Sequence, residues 1–476
     1  MKNMEKIVIK CFTTLKKFYF YDRCKNCVVT VTPEEYKVLK RVEEEGKIPE
    51  DTIILDKYLE KGLLQKKKAI KIAHPLSDDI AYYTDRQLKE LILQVTQQCN
   101  LRCLYCTYSG KYYNREHSDK KMSFNIARKA IDFYFEHSTE TDQLNIAFYG
   151  GEPLLEFPLI KKCVEYAEKK VYDKKLNFFI TTNGTLLTDE VILFMIKHRF
   201  AMTISLDGGK EEHDVNRKFR NGKGSFDIIV KNLQRLRNYD EKYFLSVGYN
   251  TVINSNANLK NVLEYFKKSN LFNPTQVRLS MVNETGLLKN DLFKTDEIFW
   301  IPHRYEHLKV LLYLLGKIDK DYIHPLYKSD HKAIELFYKE IQQHHIEMQT
   351  MHHGGPCMPG ARRMFVNIEG DIYPCEKVSE SINGTQIGRI EQGFDYKKIY
   401  SILNIGQLTE KECLECWNLR LCKMCVGQIE PIDNKLTCEG KLISCQSSID
   451  DTLYSLKEMC VLIENGYHFH EEEFDG

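Results

Sequence analysis

The chain has 476 residues, 43% hydrophobic and 28% charged, which is the composition of globular domains and too long for one core. Lysine and arginine nearly balance aspartate and glutamate, and a net charge of +1 removes the electrostatic case for a nucleic-acid or membrane-surface partner. No stretch reaches the about 18 apolar residues of a membrane span and the N-terminus lacks an apolar export segment, so a cytoplasmic location is expected.

In chain order, residues 1–84 read as a small separate unit. Ile7–Phe12, Phe18–Asp22 and Val28–Thr32 alternate like strands, and Glu34–Glu45 and Thr52–Lys61 read as helices, with Pro33 at a helix start. The order suggests a winged-helix-like module. Over residues 85–300, strand patterns at Leu91–Thr96, Leu144–Tyr149, Leu176–Thr182, Ala201–Leu206, Tyr243–Ile253 and Gln276–Leu279 alternate with helices. The helices are expected at Ser123–His137, at Pro158–Tyr172, after Thr188, after Ser225 and at Leu259–Lys268. Such repetition implies an α/β fold with a parallel sheet and helical crossovers. Six units fall short of the eight of a closed barrel, so a partial (β/α)6 barrel is expected, with its chemistry on the loops after the strands. Residues 301–350 read as a helical bridge and 351–476 as a cysteine-rich domain.

The 16 cysteines are clustered rather than dispersed. Three fall in Cys99-Asn100-Leu101-Arg102-Cys103-Leu104-Tyr105-Cys106, directly after the first barrel strand, and seven lie from Cys375 to Cys445. Clusters of this kind in an intracellular chain point to metal rather than disulfides. The C-x3-C-x2-C spacing allows three thiolates to hold three corners of a [4Fe–4S] cluster with the fourth iron open. Structural zinc, by contrast, prefers four closed ligands. Further candidates stand at later strand ends: Gly150-Gly151-Glu152-Pro153, Asn183, Ser205, Asp207 and, beyond them, Arg217. Glycines permit close backbone approach to a ligand, and an arginine can clamp a carboxylate bidentately. Asn183-Gly184 and Asp207-Gly208 are equally turn pairs.

On the cysteine motif with Tyr105 before its third cysteine, and on the ordered strand-end residues, the chain resembles the radical S-adenosylmethionine (SAM) superfamily. The resemblance implies that the open iron at Cys99, Cys103 and Cys106 chelates SAM. Reductive cleavage would then yield a 5′-deoxyadenosyl radical that abstracts hydrogen, with electrons from a flavodoxin- or ferredoxin-type donor. Gly150, Gly151, Glu152, Pro153, Asn183, Ser205, Asp207 and Arg217 would surround SAM. The C-terminal cysteines resemble the SPASM extension, which implies two auxiliary [4Fe–4S] clusters. Cys357, Cys375 and Cys425 would hold the nearer one. Cys413, Cys416, Cys422 and a late cysteine, Cys445 with Cys438 as competitor, would hold the farther one. Only two residues separate Cys422 from Cys425 where the extension has three, and no fourth cysteine for the nearer cluster lies between Cys357 and Cys375. Two zinc ribbons are the alternative for this region.

Relatives with this extension mostly modify peptides, and the N-terminal unit resembles the precursor-recognition module of peptide maturases; a structural cap is its alternative reading. The expectation is a maturase of the ranthipeptide or sactipeptide type, making a thioether or carbon–carbon cross-link in a ribosomal precursor. A second reading is the anaerobic sulfatase-maturating type, which makes formylglycine. That type carries Asp after the second domain cysteine, where Glu376 stands here as a candidate general base. A third is a non-catalytic iron–sulfur electron-transfer or scaffold protein.

Overall fold

In the computed structural model, residues 6–50, 53–113, 115–269, 271, 276–288, 292–343 and 347–469 are described. The strand Leu91–Thr96 is buried along its whole length. A strand buried on both faces belongs in the middle of a sheet covered on both sides, and that is its place. Numbering strands in chain order, β1 to β3 are Ile9–Thr13, Phe18–Asp22 and Cys27–Val31. The barrel strands β4 to β9 are Leu91–Thr96, Gln143–Gly150, Lys175–Thr182, Ala201–Ser205, Gly248–Ile253 and Val277–Met281. They pair side by side in parallel. The crossover helices start on side-chain caps, among them Ser123, Thr188 and Asn258, whose oxygens accept the third following amide.

Two expectations are corrected. Tyr243–Ser246 is helical rather than strand: Asp240 caps a short helix at Glu241–Ser246, and β8 begins only at Gly248. The helix expected over Thr52–Lys61 is confined to Asp56–Glu60, with Thr52 outside the described residues.

The sheet does not end at β4. The hairpin β10 (Met364–Val366) and β11 (Asp371–Tyr373) continues it, followed by β12 (Gly388–Arg389) and β13 (Gly393–Phe394), giving the order β9-β8-β7-β6-β5-β4-β10-β11-β12-β13. β10 lies parallel to β4 with Phe365 opposite Ile92. The cysteine-rich region is therefore stitched to the barrel through the strand that feeds the cysteine loop.

The N-terminal unit is a three-stranded antiparallel sheet with the helix Pro33–Glu45, capped by Thr32 and Glu35 in a reciprocal capping box. Its strand Phe-Tyr-Phe-Tyr-Asp has apolar side chains on both faces. Phe20 packs inside the unit with Leu39 and Val42, whereas Tyr19, Tyr21 and Phe12 pack against Leu421, Leu456, Met459 and Cys460. The unit is thus docked on the long C-terminal helix Cys438–Glu464. No helix among the described residues is long and apolar enough to cross a membrane.

Candidate active site

The loop Cys99–Cys106 leaves β4 at the C-terminal end of the barrel. It is held by its neighbours: Arg102 N donates to Lys218 O at 2.7 Å and Leu104 N to Asn216 O at 3.1 Å. The glycines of Gly150-Gly151 are needed here for a definite reason. A Cβ on Gly150 would stand 2.1 Å from Thr96 O, and one on Gly151 2.1 Å from Gln98 O. Gly151 N and Glu152 N donate to those same carbonyls at 2.9 and 2.8 Å. These glycines let the end of β5 approach the root of the cysteine loop closely.

Glu152 is buried and its carboxylate accepts from Thr182 Oγ1 at 2.6 Å, Asn183 N at 2.7 Å and Leu154 N at 3.1 Å. Burial raises its pKa while these donors oppose the rise. Pro153 opens the turn Pro153–Glu156 beneath it. Asn183 donates to Asn100 Oδ1 at 2.8 Å and approaches Cys99 Sγ at 3.8 Å, and its own oxygen accepts from Thr185. Tyr105 donates to Asp207, Arg217 Nη1 donates to Tyr105 Oη at 2.8 Å, and Val252 N donates to Asp207 Oδ1 at 3.1 Å. All three side chains are buried, so burial pushes the Asp207 pKa up against the lowering effect of Arg217. Arg217 Nε has no hydrogen-bond partner in this buried place. Ser205 closes β7 opposite Asn250. The sequence-predicted barrel residues thus converge on one mouth.

The thiols fit ligation in a further respect. Cys99 Sγ accepts from Leu101 N and Cys106 Sγ from Tyr108 N, each at 3.4 Å. The same amide two residues on bonds Cys375, Cys416 and Cys425, from Lys377, Asn418 and Gly427 respectively. Amides aimed at sulfur favour the thiolate, which is the ligating form. Burial pushes the Cys99, Cys375 and Cys416 thiols up against this effect, as it does the thiol of Cys163, a core residue on a helix that has burial alone. Among the described residues no three Cys, His, Asp or Glu side chains stand close enough for a single ion. A cluster spreads its thiolates over several irons and asks for wider spacing than the about 2.3 Å bonds of one zinc.

The C-terminal thiols form two groups. Cys375 feels the charges of Cys357 and Cys425, and Cys416 those of Cys413, Cys422 and Cys445. Cys438, exposed at the helix start, acts on Cys445. Glu376 accepts from Arg363 Nη1 with both oxygens, at 3.1 and 3.3 Å. Of the remaining cysteines, Cys24 donates to buried Glu347 at 3.1 Å.

Residues missed by sequence reasoning join the two halves. Arg115, buried, donates to the carbonyls of Glu376 at 2.8 Å and Val378 at 3.1 Å and pairs with Glu380, which also accepts from Gln94 at 2.8 Å. Tyr149 sits between: burial pushes its pKa up to about 12, and Glu376 and Cys106 both act on it. No local signal marks Arg115 and Gln94, because their partners lie 261 to 286 positions away. On the free flank of β9 a cavity of about 580 Å³ is lined by Met281, Trp300, His303 and Tyr327 among others.

With this geometry in hand, the class of the barrel is defined: residues 93–269 match the Radical SAM superfamily. The chain is 24% identical over 387 residues to a cysteine-type anaerobic sulfatase-maturating enzyme of Clostridium perfringens, covering 78% of this chain and 93% of that one. It is 25% identical over 195 residues to the radical SAM cyclopropyl synthase TigE of Paramaledivibacter caminithermalis, covering 38% of each. Among solved structures, native anSMEcpe with bound AdoMet and Cp18Cys peptide has the same fold, with a TM-score of 0.55 at 21% identity, covering 79% of this chain and 99% of that chain.

Proposed function

We propose that the protein is a radical SAM peptide maturase that removes hydrogen from a ribosomally made precursor and forms a thioether or carbon–carbon cross-link in it. One arrangement carries the reading: the hairpin β10–β11 continues the barrel sheet beside β4, so the segment of Cys375 and Glu376 is tied by Arg115 to the rim bearing Cys99, Cys103 and Cys106. Cys99, Cys103 and Cys106 would hold a cluster that, with SAM bound, would supply the chemistry of hydrogen-atom abstraction, and the C-terminal cysteines would hold clusters able to supply an electron acceptor.

This chain's residues do the rest. Arg217 and Asn183 line the SAM side, with the unpaired Arg217 Nε free to bind an oxygen of the ligand. Tyr105 and Asp207 fix Arg217 in place. Glu376, held by Arg363, is the residue assigned to take a proton from the substrate, on its place directly after Cys375. The N-terminal sheet supplies an edge to which a precursor can add as a strand.

A second reading, formylglycine formation, is favoured by the likeness to the sulfatase-maturating enzymes and by a carboxylate after Cys375. Anaerobic turnover with SAM, a reductant and the precursor encoded beside the gene decides between them. Cross-linking yields a peptide lighter by a pair of hydrogens, whereas formylglycine made from cysteine costs the peptide its sulfur. An unchanged peptide in both precursor and sulfatase assays overturns the proposal.

A further inference from the structure

Lys441 is 1% exposed, on the first turn of the helix Cys438–Glu464. Lysines are almost never so buried without a partner, since an unpaired cation in the interior costs several kcal/mol. Among the described residues no carboxylate pairs with it. Its Nζ donates instead to Thr409 Oγ1 at 2.6 Å and to Cys413 Sγ at 3.3 Å, and Thr409 Oγ1 also lies 3.3 Å from that sulfur. Cys445, one turn along the same helix face, feels Lys441 as well as Cys413 and Cys422. The two imidazoles that also feel this charge, His352 and His353, are kept neutral by burial, with pKa values lowered to about 4 and about 2. The amine therefore faces sulfur, a hydroxyl and neutral rings, and the sulfurs are the groups beside it that can carry the opposite charge.

We infer that Lys441 is the counter-cation of an iron–sulfur cluster held by Cys413, Cys416, Cys422 and Cys445, and that its hydrogen bond to Cys413 raises the reduction potential of that cluster. This rests on the reading of those four cysteines as cluster ligands. The physical ground is that an added electron makes the cluster more negative, and a nearby cation and a hydrogen bond to sulfur favour the more negative state. Lys441 is then a positioning residue that keeps the far cluster able to accept an electron.

The test uses full-length protein reconstituted anaerobically, with Lys441→Met to remove charge and hydrogen bond and Lys441→Arg to retain the charge. Iron content and EPR-monitored redox titration are read in the Cys99→Ala, Cys103→Ala, Cys106→Ala background, which leaves the C-terminal signals. The expected result is unchanged iron in Lys441→Met and, for one signal, at least a tenfold shift of the reduction equilibrium toward the oxidised form, about 59 mV downward for one electron. Lys441→Arg is expected to restore most of the shift. Iron retained with all potentials unmoved overturns the inference and leaves the cluster in place. Equal iron loss in both variants also overturns it, since packing rather than charge would then be at work. If Cys416→Ala with Cys422→Ala holds as much iron as its parent, the cluster reading itself fails, and the inference falls with it.

Discussion

The barrel mouth and the C-terminal thiol groups are both built around cysteines, yet they are assembled in different ways. At the mouth, Cys99, Cys103 and Cys106 come from one loop, and the residues around them from the next three strand ends. Parallel strands with helical crossovers bring successive strand ends to one side, so order along the chain becomes proximity in space. The C-terminal groups draw on Cys357, Cys375 and Cys425, and on Cys413, Cys416, Cys422 and Cys445, from loops and two separate helices. They depend on other parts of the molecule: Arg23 of the N-terminal unit donates to the carbonyls of Leu414 at 2.8 Å and Cys416 at 3.0 Å, and Lys67 and Lys6 both pair with Glu415. A site made by sheet topology is self-supporting, whereas one made by loops is braced from outside.

The largest effect expected separates the two regions outright. Cys99→Ala, Cys103→Ala, Cys106→Ala should abolish SAM cleavage and remove about four of about twelve irons, leaving the C-terminal content intact. Loss of all iron would show that the C-terminal groups cannot load without the mouth. Next, Glu376→Gln should slow product formation about 10²–10⁴-fold, the usual cost of a lost general base. Iron and uncoupled deoxyadenosine formation should stay near wild type, and product at the wild-type rate would leave Glu376 as Arg363's ion-pair partner alone.

Arg23→Met tests the external brace. Arg23 and Glu347 form an ion pair at 2.7 Å with both side chains fully buried, so removing one partner should cost about 3–5 kcal/mol in urea unfolding. Iron should be lost from the Cys413 group while SAM binding at the mouth is retained; equal loss at both would erase the contrast drawn here.

The smallest effect concerns His307, which joins the helix Glu297–Leu314 to Asp330 and to Glu458 of the C-terminal helix. The two carboxylates, Asp330 first, favour the protonated ring and raise its pKa to about 9 from 6.5. A raised histidine pKa stabilises the fold fully below about pH 6.5 and loses that contribution as pH rises through about 9. The loss amounts to about 3 kcal/mol at most. Thermal midpoints measured from pH 6 to 10 should fall more steeply for wild type than for His307→Gln; parallel curves would remove the assignment.

By itself the sequence determined the strand–loop–helix rhythm, because apolar periodicity and caps such as Ser123 and Thr188 act within a few residues. It also determined which side chains crowd the mouth, since a repeated crossover turns spacing into geometry. It misread Tyr243–Ser246, where aromatic and apolar residues suit a strand as well as a helix and the Asp240 cap decides. Only the tertiary structure decided that β10 extends the sheet beside β4 and that both faces of β2 are covered. Only the tertiary structure, too, placed Arg115, Arg23 and Lys441, whose partners lie far along the chain, in the neighbourhood of the cysteines. A lone basic residue reads as surface in any sequence; what makes these three different is burial, and burial is a property of the packed chain.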